Sequence, residues 1–212
     1  MDDDPGDMKI NLPNQITIAR LFLAVIFFLC LNQFSIQAEA PRLWLLDLSA
    51  GLFIFAAVTD IIDGYIARKT NQITSFGRVI DPFVDKILVI GAYIFMAGDG
   101  FVDAEGRSVA FVKDWMVVVI LGRELLVTSL RGVTEASGQS FGANAYGKAK
   151  MALQSVTVAW VLFHVAHAGA PTILRAMTPY LVYAMVIVTF LSAVPYLRMA
   201  RGVLSEMAAP QS

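Results

Sequence analysis

Four aspartates in one short stretch have the residue type and spacing to do chemistry. They are Asp60, Asp63, Asp81 and Asp85, in DIIDGYIARKTNQITSFGRVIDPFVD. Apolar runs flank them, AGLFIFAAV before and KILVIGAYIFMA after. An ionised aspartate at membrane depth costs roughly 2.5–3.5 kcal/mol on insertion scales, so four together need a use. Asp60 and Asp63 are i,i+3, and Asp81 and Asp85 are i,i+4, so each pair projects from one face of a helix. Two helices bring four carboxylates together only around positive charge. Hard divalent cations with oxygen ligands are the natural candidate, and two ions a few ångströms apart suit displacement at phosphorus. The competing reading is a pair of hairpin helices whose polar turn, KTNQITS, lets the charges snorkel to water.

Small residues in the stretch favour the first reading. Gly64 and Ala67 fall on the helical face of Asp60 and leave room for a ligand against the backbone. Arg68 follows as a fixed cation suited to phosphate. Gly77 lies one turn before Asp81, again where backbone can approach a ligand closely.

Written out, the stretch is D60-x2-D63-G64-x2-A67-R68-x8-G77-x3-D81-x3-D85. It resembles the signature of the CDP-alcohol phosphatidyltransferase family at every fixed position. The resemblance implies an all-α, polytopic membrane enzyme with six transmembrane helices and two divalent cations, Mg²⁺ or Mn²⁺. Such an enzyme moves a substituted phosphate from a CDP-linked donor to an alcohol and releases CMP. Carried over residue by residue, it assigns the metal ions to Asp60, Asp63, Asp81 and Asp85, with Asp85 also the general base. Nucleotide contacts fall on Asp63, Gly64, Ala67, Arg68, Gly77 and Asp81. The implied donor is CDP-diacylglycerol, and a homodimer is the implied assembly.

The elements that must position these groups are apolar and long. The chain has 212 residues, 57% hydrophobic and 16% charged, with a formal net charge of −1. The apolar residues come in blocks, which argues for a membrane protein rather than a soluble core. Near-neutral charge says nothing of partners, and no feature points to nucleic acid. The single cysteine, Cys30, sits in an apolar run and reads as a small buried hydrophobe. The start, MDDDPGDMK, is acidic where a cleavable signal would be basic, so the first apolar run is expected to stay as a span. Residues 1–12 read as a disordered acidic tail, 13–204 as one six-helix catalytic domain, and 205–212 as a C-terminal tail.

Spans are expected at 16–34, 46–67, from between Phe76 and Pro82 to about 96, 114–133, 148–168 and 177–198. Arg20 near the start of the first has two open readings, an interfacial anchor or a role near the nucleotide. Between the third and fourth spans, GDGFVDAEGRSVAFVKD reads as a polar loop. His164 and His167 are i,i+3 but have no third ligand in view, and read as interfacial. With the N-terminus in the cytoplasm, Lys9, Arg20, Arg68, Lys69, Arg78, Arg131, Lys148, Lys150, Arg198 and Arg201 share the cytoplasmic side. Only Arg42, Arg107, Lys113 and Arg175 fall opposite, as the positive-inside rule requires. This orientation puts the aspartates at the cytoplasmic face, in a bacterial inner membrane on the family resemblance.

The acceptor needs separate residues. A phosphorylated acceptor such as sn-glycerol 3-phosphate requires cations beside a negative centre. Arg123, Arg131, Lys148 and Lys150 are the candidates, in GRELLVTSLR and YGKAKMALQ. With NLPNQITIAR, these segments resemble bacterial phosphatidylglycerophosphate synthases, which implies transfer of the phosphatidyl group to glycerol 3-phosphate. Gly122, where alanine is usual, and Val84, beside the proposed base, depart from that pattern. Other readings stay open. Arg123 and Glu124 can simply pair with other helices, and Lys148 and Lys150 can anchor a span to anionic headgroups. A sibling transferase for inositol phosphate, phosphatidylglycerol or serine is one alternative; a carboxylate-lined cation transporter is another.

Overall fold

The computed structural model describes residues 12–70, 75–136, 145–167 and 172–198. The expected acidic tail, save Leu12, and the C-terminal tail lie outside the described residues, as do the turn at 71–74 and the loop at 137–144. Among the described residues the chain forms six α-helices and one short 3-10 turn. The helices are α1 (Leu12–Gln33), α2 (Trp44–Thr70), α3 (Ser75–Ala97), α4 (Asp114–Ala136), α5 (Ala145–Ala166) and α6 (Thr172–Leu191).

Each apolar run becomes one helix, with ends that follow local chemistry. Pro13 sits in the first turn of α1, where a missing N–H costs no hydrogen bond. Asp47 and Asp114 lie in the first turns of α2 and α4, facing the positive end of the helix dipole. The last helix departs most from the sequence expectation. It begins at Thr172, carries Pro179 inside it, and stops at Leu191 rather than running unbroken to 198. Pro195 has no N–H to give the Leu191 carbonyl, so the ladder breaks there. A turn at Ser192 and Ala193 leads into a further helical stretch over 194–198.

Packing is sequential and crossed. α1 packs on both α2 and α3, α5 packs on α2, α3 and α6, and α4 packs on α3 and α6. The core draws Phe27 and Leu31 from α1, Leu46 and Phe53 from α2, and Ala92, Tyr93 and Met96 from α3. Met116 and Ile120 of α4, Val161 and Leu162 of α5, and Val182 and Met185 of α6 complete it. Large apolar side chains also cover the outside, among them Phe22, Phe55, Val118, Leu125, Val156, Tyr180 and Phe190. Helices apolar on inner and outer faces alike suit a lipid solvent. Among the described residues, Gly147–Ala166 and Ile173–Arg198 are long and apolar enough to cross a membrane. α2, α3 and α4 carry charged residues within their length, Asp60, Asp85, Lys86, Arg123 and Glu124 among them, which lowers their mean hydropathy.

One end of the bundle is closed by short connections. The α3–α4 segment is not only a polar loop: it holds the 3-10 turn Asp99–Phe101 and an isolated bridge between Val102 and Ser108. The Asp103 carboxylate accepts the amides of Glu105 and Arg107, and hydrogen bonding from Arg107 holds it below the usual carboxylate range. His167, after α5, lies 3.6 Å from Asp47 at the start of α2, so these helices run antiparallel. That end is therefore opposite the aspartate-bearing end of α2. Cys30 is buried, as expected of a small hydrophobe.

Gly100 shows how tight this closure is. A Cβ there would meet the Phe34 carbonyl oxygen at 2.7 Å, which is backbone and cannot swing away. Gly100→Ala is expected to destabilise the protein by about 1–3 kcal/mol. Gly51→Ala, inside α2 where the Cβ meets nothing within 4 Å, is expected to hold or slightly raise stability. Thermal unfolding of the two variants in detergent checks this; equal midpoints would mean that the loop shifts freely.

Candidate active site

The aspartate pairs sit on α2 and α3, which both pack on α1. α1 supplies the link. Arg20, only 1% exposed, donates from Nη1 to Asp60 Oδ1 at 2.5 Å and to Asp85 Oδ1 at 2.9 Å. One guanidinium nitrogen therefore gathers the first and last aspartates of the motif. The Asp60 side chain is 33% exposed and Asp85 19%, so both border solvent while their shared cation is enclosed. Arginine suits this place because it stays charged when buried and presents several donors in a rigid plane. Asp63 and Asp81 lie on the same two helices, as do Gly64, Ala67, Arg68 and Gly77, but the side chains of these six are outside the described set. Val84, beside the proposed base, is fully buried.

A second charged group lies behind the first. Glu124 of α4 accepts from Arg123 Nη1 at 2.9 Å and from Lys150 Nζ of α5. All three side chains are at least nine-tenths buried. Arg123 Nε donates to Ser192 Oγ at 2.9 Å, in the turn that ends α6, and the guanidinium lies 5.5 Å from the centre of the Tyr196 ring. Its Nη2 is buried with no hydrogen-bond partner among the described residues. Two cations against one carboxylate leave this group net positive. Of the four cations expected at an acceptor site, the fold thus brings Arg123 and Lys150 together; Arg131 and Lys148 are exposed. Gly122 is also exposed, and a Cβ there would meet open space, so its departure from alanine removes no contact.

A cavity of about 230 Å³ joins the two groups. Its lining includes Asp85 and Lys86 of α3, Glu124 of α4, and Lys150 and Gln154 of α5. Behind it a buried hydrogen-bonded chain fixes the helices. Tyr93 donates to the Gln154 carbonyl, Gln154 Nε2 to Thr189 Oγ1, and Ser192 Oγ to the Thr189 carbonyl. Such satisfied networks hold a site rigid at low dielectric. The sequence left Arg20 open between an interfacial anchor and a role near the nucleotide, and offered Glu124 only as a pairing partner; the signal for both was a charge inside an apolar run.

Among the described residues no three metal-type ligands gather. The donors that are described nonetheless fit hard divalent cations. Asp60 and Asp85 offer carboxylate oxygens from two helices, converging on one positive nitrogen. His164 is buried and His167 stacks on Phe163, and neither lies in this group.

Removing the shared carboxylate tests the second group. Glu124→Gln leaves two buried cations facing one another, a loss expected at about 3–5 kcal/mol. Arg131→Ala, on an exposed side chain, is expected to leave the unfolding midpoint in place. Denaturant unfolding in micelles measures both, and an unshifted Glu124→Gln would show that the group bears no structural load.

The family model for CDP-alcohol phosphatidyltransferase matches residues 10–194. A Bacillus subtilis protein named CDP-diacylglycerol–glycerol-3-phosphate 3-phosphatidyltransferase is 38% identical over 160 residues, covering 73% of this chain and 77% of its own. A Rickettsia bellii protein of the same name is 38% identical over 149 residues, covering 69% and 73%. One from Salmonella choleraesuis, also so named, is 30% identical over 209 residues, covering 92% and 97%.

Proposed function

The chain belongs to the CDP-alcohol phosphatidyltransferase family, and on that premise we propose that it transfers the phosphatidyl group of CDP-diacylglycerol to sn-glycerol 3-phosphate. The products are phosphatidylglycerophosphate and CMP. The names of the relatives support the substrate pair. The single observation that carries the reading is the Arg20 bridge, which draws Asp60 and Asp85 from separate helices to one point. That point opens on a cavity whose other wall is the Lys150–Glu124 pair.

Asp60, Asp63 and Asp81 would hold two divalent cations, Mg²⁺ or Mn²⁺, with Asp85 at their border. Bound there, the ions supply charge neutralisation of the pyrophosphate and polarisation of the phosphorus under attack. The chain's own residues do the rest. Asp85 accepts the hydroxyl proton of the acceptor, and Arg20 holds that carboxylate in place. Arg68 and the small residues Gly64, Ala67 and Gly77 receive the nucleotide, with Asp63 and Asp81 beside them. The acceptor phosphate is taken by the cationic group on α4 and α5. Arg123 carries a buried Nη2 without a partner among the described residues, and Lys150 lines the cavity that reaches Asp85. Arg131 and Lys148 add exposed charge that draws an anion inwards.

The same reading covers the setting. Residues 13–204 act as one six-span unit flanked by tails, in a bacterial inner membrane, with the aspartates facing the cytoplasm. The partners are the bilayer, the lipid donor, the small anionic acceptor and a second copy of the chain.

Two sets of variants test the roles. Asp60→Asn, Asp63→Asn and Asp81→Asn should abolish metal-dependent CMP release and weaken Mn²⁺ binding. Asp85→Asn should abolish turnover while donor and metal binding persist; near-normal turnover would remove Asp85 as the base. Arg123→Ala should raise the acceptor KM far more than the donor KM, by roughly ten- to hundredfold for one lost charge-assisted contact. An unchanged acceptor KM in Arg123→Ala, Lys150→Ala, Arg131→Ala and Lys148→Ala would move the acceptor site elsewhere.

A further inference from the structure

The cavity at Asp85 has a larger neighbour. A second cavity, about 510 Å³, runs between α1, α3 and α4 and is walled by Phe28, Phe83, Ile94, Phe95, Leu121 and Leu125. The two cavities share Lys86, Ile90 and Glu124. Glu124 already carries Arg123 and Lys150. Lys86 therefore stands as a cation at the boundary where an apolar groove meets the reacting centre. Its Nζ donates to Thr128 Oγ1 at 2.6 Å, a neutral partner on α4. Among the described residues no carboxylate makes an ion pair with it. An ammonium has three N–H donors, and one hydroxyl satisfies only one. The carboxylates that share its cavity, Asp85 and Glu124, are bonded to Arg20 and to Arg123 and Lys150, so a cation beside apolar walls there favours an anionic ligand.

A lipid phosphate is the group with matching anatomy. Its two tails need an apolar wall, its phosphate needs a cation, and the two lie next to each other along the molecule. The geometry points to Lys86 as a donor-binding residue that takes a phosphate oxygen next to the diacylglycerol, with the tails lying along the α1–α3–α4 groove. This rests on the donor named above and is independent of which acceptor is used. Thr128 then has a defined part: its hydroxyl holds the ammonium at the boundary between substrates.

The test compares Lys86→Met, which keeps the stem and removes the charge, with Lys86→Arg, both in the full-length protein in mixed micelles. Lys86→Met should raise the KM for CDP-diacylglycerol by roughly ten- to hundredfold, as expected for one charge-assisted bond. The acceptor KM should stay as in the unsubstituted protein, and Lys86→Arg should recover most of the donor affinity. Equilibrium binding of fluorescent phosphatidic acid, competed by unlabelled phosphatidic acid, neutral diacylglycerol or inorganic phosphate, reads the same contact without turnover. Lys86→Met should weaken phosphatidic acid binding, with diacylglycerol and free phosphate competing poorly. If the unsubstituted protein released CMP with no acceptor, the activity reading would fail while the phosphatidic acid arm still judged Lys86. A raised acceptor KM alone would assign Lys86 to the acceptor instead. A lowered unfolding midpoint with unchanged donor KM and phosphatidic acid affinity would make it an α3–α4 latch; either result overturns the proposal.

Discussion

A guanidinium buried inside an apolar bundle is the constraint on which the rest of the structure turns. Arg20 is 1% exposed and spends one nitrogen on two carboxylates from two different helices. A buried, unpaired charge is costly, so the arginine and the aspartates each require the others in place. This explains the position of α1. It packs on both α2 and α3, and its arginine is the electrostatic link between the two halves of the aspartate motif. Moving α1 by a fraction of a helical turn would break both of these bonds at once.

The second charged group obeys the same logic with opposite sign. Glu124 pairs with both Arg123 and Lys150, so α4 and α5 are tied across the cavity from Asp85. Asp85 on one wall is joined to Asp60 through Arg20, and Lys150 on the other shares Glu124 with Arg123. Within a protein of low effective dielectric, such opposed walls interact strongly and present a graded potential to a charged ligand. An anionic substrate pair is the ligand such walls suit.

Behind these walls, polar side chains do what a hydrophobic core of lipid-facing helices cannot. In a bilayer, apolar side chains gain little by packing on each other rather than on lipid tails, so hydrogen bonds between helices matter for specificity. Tyr93, Gln154, Thr189 and Ser192 form such a chain from α3 through α5 to the end of α6. Trp160 adds a bond to Thr178, one residue before the proline inside α6. The chain ends on Arg123 through Ser192, so the turn created by Pro195 has a direct part in holding the cationic wall.

Much of this was legible in the sequence, for reasons of local geometry. The existence of six long helices follows from the apolar blocks. The pairing of aspartates on helical faces follows from 3.6-residue periodicity, which depends only on neighbours in the chain. The motif's spacing also carried the family. What the sequence left open were matters of distance through space. Arg20 lies 40 and 65 positions from the aspartates it binds, and no periodicity links them; an interfacial anchor was an equally good reading until α1 packed between α2 and α3. Four basic residues looked alike along α4 and α5, but only the tertiary packing decided that Arg123 and Lys150 turn inwards on Glu124 while Arg131 and Lys148 stay exposed. The division has one physical cause. Helix formation and side-chain phase are set by bonds within a few residues, whereas the energy of a charge depends on which helices surround it.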